Sequence, residues 1–427
     1  MTDSKTIKQK FRSSIRRGTG EAHLIMQQNP SIDFSNDIIK ASLTNYAYDP
    51  QSEGSRAMYV SELIYLSKQQ DKIRDAILKR LATEQEDTWA LVQLFDLAAI
   101  FAKNGDKKAR QAIYKRFYKK IITGSDWCGY AAIIELDGFQ GLKYIASTIG
   151  KSLEKKPGKQ QDGWIIEHFK QDNPGIKVWE ELEKAGNDDP FIKIYLGKIK
   201  ENGYGEENTQ APQVKINYET IAERINNKAR KVLILPFEAK WLKNTDLKKL
   251  AKDFIKETDR NKLEKYMRFF DRIKYPFDYA PLLEIVKRKR LKNDYLVEYA
   301  AGALKYFSGD DIRKFAIECL SNTKNPSLYL DLLVSNYKKG DGKLLTKIAK
   351  NCKNEDAVHD IVYSYIKIYE ANNTKECKLP LEAVYEKLTC GTCRESIVKI
   401  LIDNKVLSKQ MKEEVKYDSS EETRQLK

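Results

Sequence analysis

Apolar residues recur at helical spacing along almost the whole chain. Ile312, Phe315, Ala316, Cys319 and Leu320 fall at i, i+3, i+4, i+7 and i+8, one face of an α-helix. Leu296, Val297, Ala300, Ala301, Leu304 and Phe307 make a similar stripe upstream, and Ser308-Gly309-Asp310-Asp311 between them supplies a stop and a new start. Ile73, Ala76, Ile77 and Leu81 repeat the pattern early, as do Ile397, Ile400 and Leu401 late. Short polar residues precede such runs, so Ser35, Asp71, Asp87, Asp106, Thr245, Asp259 and Asn325 are expected to cap helices. Only Val232-Leu233-Ile234-Leu235 reads as a strand, and with Pro236 next a buried helical turn reads equally well. The pattern predicts an all-α chain.

Two polar stretches interrupt the rhythm, Glu154 to Gly163 and Glu201 to Val214. The second is poorer in aliphatic residues and is expected to be the linker, dividing the chain into 1–200, 201–214 and 215–427. Tyr417 to Lys427 is polar and is expected to fray.

Paired helices have their own signature. Asp310-Asp311-Ile312-Arg313-Lys314-Phe315-Ala316 matches an inner helix that opens on a capping Asp. In that motif an Arg reaches a neighbouring repeat's acid or carbonyl, and a small Ala permits close approach. Asp294 to Ala300 fits without the Arg, and Asp106 to Ile113, with Arg110, fits in part. Tyr48-Asp49-Pro50, running to Arg56, is echoed by Tyr417-Asp418-Ser419, running to Arg424. From Asp259 onward the chain resembles bacterial HEAT-repeat proteins. The resembling residues include Lys262 to Phe270, Tyr275-Pro276-Phe277-Asp278 and Thr389-Cys390-Gly391-Thr392-Cys393-Arg394. Arg17-Gly18-Thr19-Gly20 resembles the same group. The resemblance implies a right-handed α-α superhelix of HEAT/ARM-like solenoid type, in one or two segments, acting as a scaffold without catalytic residues.

Composition agrees with such a shape. Charged residues make up 32% of 427 residues, against about 25% for an average globular domain. The formal net charge of +15 fits an anionic partner or simply a lysine-rich surface. Met1 to Arg17 has no apolar core of a signal peptide, and the most apolar run, Trp89 to Ala102, is too short to span a bilayer. With six scattered cysteines these features predict reduced thiols, a cytoplasmic location and no membrane partner.

Candidate chemistry is sparse. Cys390-x-x-Cys393 is half a zinc site, with Cys352, Cys377 and His359 as candidate completions, or simply packed thiols. His23, His168 and His359 are expected on partly exposed helix positions. Gly18-Thr19-Gly20 reads as a turn capped by Thr19 rather than a phosphate cradle. No cofactor or metal is expected. The basic runs are the strongest lead: Arg12, Arg16 and Arg17; Lys108, Lys115, Arg116, Lys119 and Lys120; Lys287, Arg288, Lys289 and Arg290. Aligned on one surface they would make a phosphate track; otherwise each is the solvated face of its own helix.

The leading expectation is a non-enzymatic scaffold binding a protein on its concave face, with Arg313, Arg110 and the basic runs at the edge. The alternative is sequence-independent nucleic-acid binding. A further alternative, a HEAT-like alkylation-repair DNA glycosylase, would need Asp126 and Trp127 in a basic groove.

Overall fold

The computed structural model describes residues 3–123, 128–204, 216–227, 242–288, 295–323 and 325–426. Among these residues every regular element is a helix. The run at 232–235, read as either a strand or a helical turn, Asp126, Trp127 and residues 205–214 of the expected linker lie outside them.

The described residues form two compact units. The first gathers everything up to residue 204 together with 389–392 and 409–425; the second holds 216–388 and 393–408. The first unit is therefore discontinuous in sequence, where a single cut at the linker was expected.

In the first unit α1 (Ser4–Arg17), α2 (Glu21–Gln28), α3 (Ser35–Ser42), α4 (Pro50–Glu53), α5 (Ala57–Leu66), α6 (Gln70–Thr83), α7 (Thr88–Lys103), α8 (Lys107–Thr123) and α9 (Tyr130–Lys155) follow one another. Contacts sort most of them into two rows. α1, α3, α6 and α8 touch in succession, as do α2, α5, α7 and α9, and the rows are cross-linked α1 to α2, α3 to α5, α6 to α7 and α8 to α9. The interior between them is apolar, with Phe11, Ile38, Leu63, Ile77, Leu94, Phe95, Ile113 and Ile145 buried. α9 bends at Gly138, whose φ of 54° and ψ of −128° lie in a region open mainly to glycine. The predicted break near 154–163 separates α9 from α10 (Trp164–Asp172), and α11 (Val178–Asp188) and α12 (Pro190–Glu201) complete the series, α12 lying along α9.

The expected fraying after Tyr417 does not occur. Asp418 and Thr423 are fully buried, Tyr417 stacks on His23 with ring centroids 3.8 Å apart, and Ser419 N donates to Gly18 O at 2.7 Å. The segment is polar, but its polar groups have partners: Asp418 accepts from Ser420 N at 2.9 Å, as Asp49 accepts from Gln51 N at 3.2 Å in the echoed segment.

The second unit begins with α13 (Tyr218–Asn226), α14 (Asn244–Lys256) and α15 (Arg260–Phe270). α16 (Ala280–Val286), α17 (Tyr295–Leu304), α18 (Asp310–Asn322), α19 (Ser327–Leu330), α20 (Gly342–Asn351), α21 (Glu355–Ala371) and α22 (Lys378–Tyr385) follow. Next-but-one contacts recur here, linking α15, α17, α19 and α21 in one row. The predicted stripe buries Ile312, Ala316 and Leu320 but leaves Phe315 and Cys319 half-exposed. Of the expected caps, Asp87, Asp106 and Asp259 accept backbone N–H groups. Ser35, Asp71 and Thr245 lie inside their helices instead, and Asn325 stands before a helix that starts at Ser327.

Candidate functional site

The register of α8 decides which of its cations reach solvent. Ala109, Ile113, Phe117 and Ile121 recur at i+4 and are buried, so Lys107, Lys108, Lys115 and Lys119 face outward and Lys120 is half-exposed. Arg116 falls three residues after Ile113, on the edge of the apolar stripe. It is 3% exposed and donates to the backbone oxygen of Glu84. Arg116 is thus a packing residue, a correction to its expected place in a basic surface, and the apolar spacing already carried the signal.

In α1, burial of Phe11, Ser14 and Ile15 leaves Lys5, Lys10, Arg12 and Arg16 exposed, with Lys8 and Arg17 half-buried. Arg12 Nε is 2.7 Å from Asp37 Oδ1 on α3. Lys10 and Arg17 reach Glu21 at 2.7 and 3.1 Å. Burial works against ionisation of Glu21, but hydrogen bonds from Lys10 and Ser14 outweigh it and hold the carboxyl below its usual range.

The row α1, α3, α6 and α8 brings the two predicted runs into one layer. Its helices carry eighteen basic and three acidic residues, seven and none of them in α8 and six and none in α1. The partner row α2, α5, α7 and α9 carries four basic and six acidic residues. Charge is therefore segregated by row, and on the basic row neighbouring fields add within the screening distance of about 8–10 Å. Exposed Lys40 on α3 and Lys72, Lys79 and Arg80 on α6 belong to this layer and were missed in the sequence, where they occur singly or as one pair rather than in a long basic run. Arg110 pairs with Asp137 of α9.

The other predicted cations lie in the second unit. Lys287 and Arg288 are exposed after α16, Lys287 bonding Glu284 at 3.2 Å, while Lys289 and Arg290 lie outside the described residues. Arg313 is engaged internally: its terminal nitrogens meet both carboxylate oxygens of Asp341 at 2.6 and 2.8 Å, and Asn336 O lies at 2.8 Å. An acid and a carbonyl are the partners the repeat motif assigns to this Arg, so it ties α18 to the start of α20 rather than edging a surface.

The second unit also holds two clefts, of about 610 and 860 Å³, which meet at Asn325, Ser327 and Asp360. The first is polar, with Lys305 bonded to Asp271 at 2.9 Å and Lys367 to Asp331 at 2.8 Å. The second adds apolar Leu320, Leu344, Ile348 and Ile361.

The remaining candidates fall as follows. Cys390 and Cys393 are buried, and Cys393 Sγ lies 3.9 Å from His359 Nε2. His23 is buried rather than partly exposed, because Tyr417 covers it. Gly18 to Gly20 do form the turn between α1 and α2, but Thr19 is buried and does not cap; Gly20 occupies that position. No helix among the described residues is long and apolar enough to cross a membrane. No family model matches the chain, and no curated protein matches it in sequence.

Proposed function

We propose that this protein is a HEAT-type helical-repeat scaffold, without enzymatic activity, whose first unit binds the phosphate backbone of nucleic acid independently of sequence. The observation that carries this reading is the gathering of the α1 and α8 cations into one row with eighteen basic and three acidic residues. Backbone binding needs dispersed Lys and Arg on one face and no base-reading side chains. Support for the repeat reading comes from next and next-but-one helix contacts in both units and from the Arg313–Asp341 link.

Affinity for a nucleic-acid oligomer should fall steeply with salt, with a log–log slope of about −0.7 to −0.9 per phosphate contact. Fluorescence anisotropy on the full chain measures it. No binding at low salt removes this reading.

A protein partner is the second reading, favoured by the joined clefts of the second unit, whose mixed polar and apolar walls suit a peptide chain. A photoreactive residue at Leu344 that cross-links no protein in cells would count against it.

A further inference from the structure

Resting on the nucleic-acid reading above, we infer that the basic layer takes double-helical rather than single-stranded nucleic acid. The width of the charged face is the first argument. Neighbouring helices pack about 8–10 Å apart, so the row from α1 to α8 spans about 24–30 Å. Cations are exposed across that whole width: Lys5 and Arg16 on α1, Lys40 on α3, Lys72 and Lys79 on α6, Lys108, Lys115 and Lys119 on α8. Along the helices the charge runs from Lys107 to Lys119 in α8, about 18 Å at 1.5 Å per residue.

A single strand is one file of phosphates, and one helix of this row would serve it. A duplex presents two backbones separated by grooves of about 12 and 6 Å, with one charge per about 1.7 Å of axis. Over about 24–30 Å of axis a duplex carries about 14–18 phosphates, and the half of them turned to this face come from both strands.

The aromatic content of the layer is the second argument. Binders of single strands gain about 1–3 kcal/mol per base from stacking on aromatic side chains. The four helices hold Phe11, Tyr114, Phe117 and Tyr118. Phe11 and Phe117 are buried and Tyr114 OH is bonded to Asp137, which leaves Tyr118, 44% exposed, as the one ring well exposed to solvent among the described residues of this row. Cations at many lateral positions with a single stacking platform match a rigid double helix.

Full-length protein is titrated by anisotropy with a duplex of about 20 base pairs and with each of its separated strands, at rising salt. The duplex is expected to bind at least about tenfold more tightly. K5E/K8E at one edge and K108E/K115E/K119E at the other should each weaken duplex binding, the triple variant lowering the salt slope by about 0.9 per lost contact. Unchanged circular dichroism and melting show that these surface variants fold. Equal or tighter binding of the single strands overturns this inference and leaves the nucleic-acid reading standing. Binding of neither form overturns both. Loss from one edge set alone also overturns the inference, because one helix would then suffice.

Discussion

Arg424 holds Glu62 with both terminal guanidinium nitrogens, at 2.6 and 3.0 Å, although 362 positions separate them. The pair fixes the segment 409–425 to α5 within the first unit. Both side chains are partly exposed, which limits the interaction to about 1 kcal/mol. Arg424→Ala should lower the first unit's stability by about that amount. A double-mutant cycle with Glu62→Gln should return a coupling of similar size by denaturant unfolding, and a coupling of zero would show that other contacts hold the segment.

Gly20 offers a sharper probe of the same contact. A Cβ at this position would penetrate the backbone carbonyl of Glu414 and crowd Tyr417. Backbone cannot swing aside as a flexible side chain can, so Gly20→Ala should destabilise the unit by about 1–3 kcal/mol. Limited proteolysis should then cut within 409–425 faster than in the parent protein; equal cleavage rates would refute the close approach.

Asp96 gives the first unit a pH dependence. Burial pushes its carboxyl up to about 6, against the hydrogen bond it accepts from Ser55 Oγ at 2.5 Å, with Glu135 adding repulsion. The folded state therefore keeps a proton that the unfolded chain releases near pH 4. Stability contributed by this group is complete below that point, declines as pH rises to about 6, and is absent above. Asp96→Asn should flatten the melting profile across this window and raise stability at pH 7.5. A profile identical to the parent's would exclude Asp96 as the titrating group.

Neighbours on α8 should separate binding from folding. Lys115 is exposed on the charged face, and Lys115→Ala should weaken duplex binding while leaving the melting temperature unchanged. Arg116 is buried on the Glu84 carbonyl, and Arg116→Ala should cost about 2 kcal/mol of stability. If Lys115→Ala lowers stability instead, the register assigned to α8 is wrong.

Helix content and most helix faces were legible in the sequence, because a 3.6-residue period is local and each apolar stripe buries itself wherever the helix lies. Ile73, Ile77 and Leu81, or Ile397 and Leu401, are buried as their spacing requires. The same logic places Lys108, Lys115 and Lys119 outward and, applied strictly, would have turned Arg116 inward. Caps were legible only in part: Phe34 and Lys243 hold the cap positions before the helices of Ser35 and Thr245, with no side-chain bond to the first turn.

Two things were decided by the tertiary structure alone. Assembly of α1, α3, α6 and α8 into one row depends on contacts between distant segments, so nothing in either basic run announces that the other lies in the same layer. The fate of the last polar stretch likewise depends on partners elsewhere: Tyr417 to Arg424 reads as a fraying tail until Gly18 and Glu62 meet its polar groups and His23 stacks on its Tyr417. Periodicity fixes a helix and its faces, whereas a charged layer or a docked segment exists only where separate helices meet.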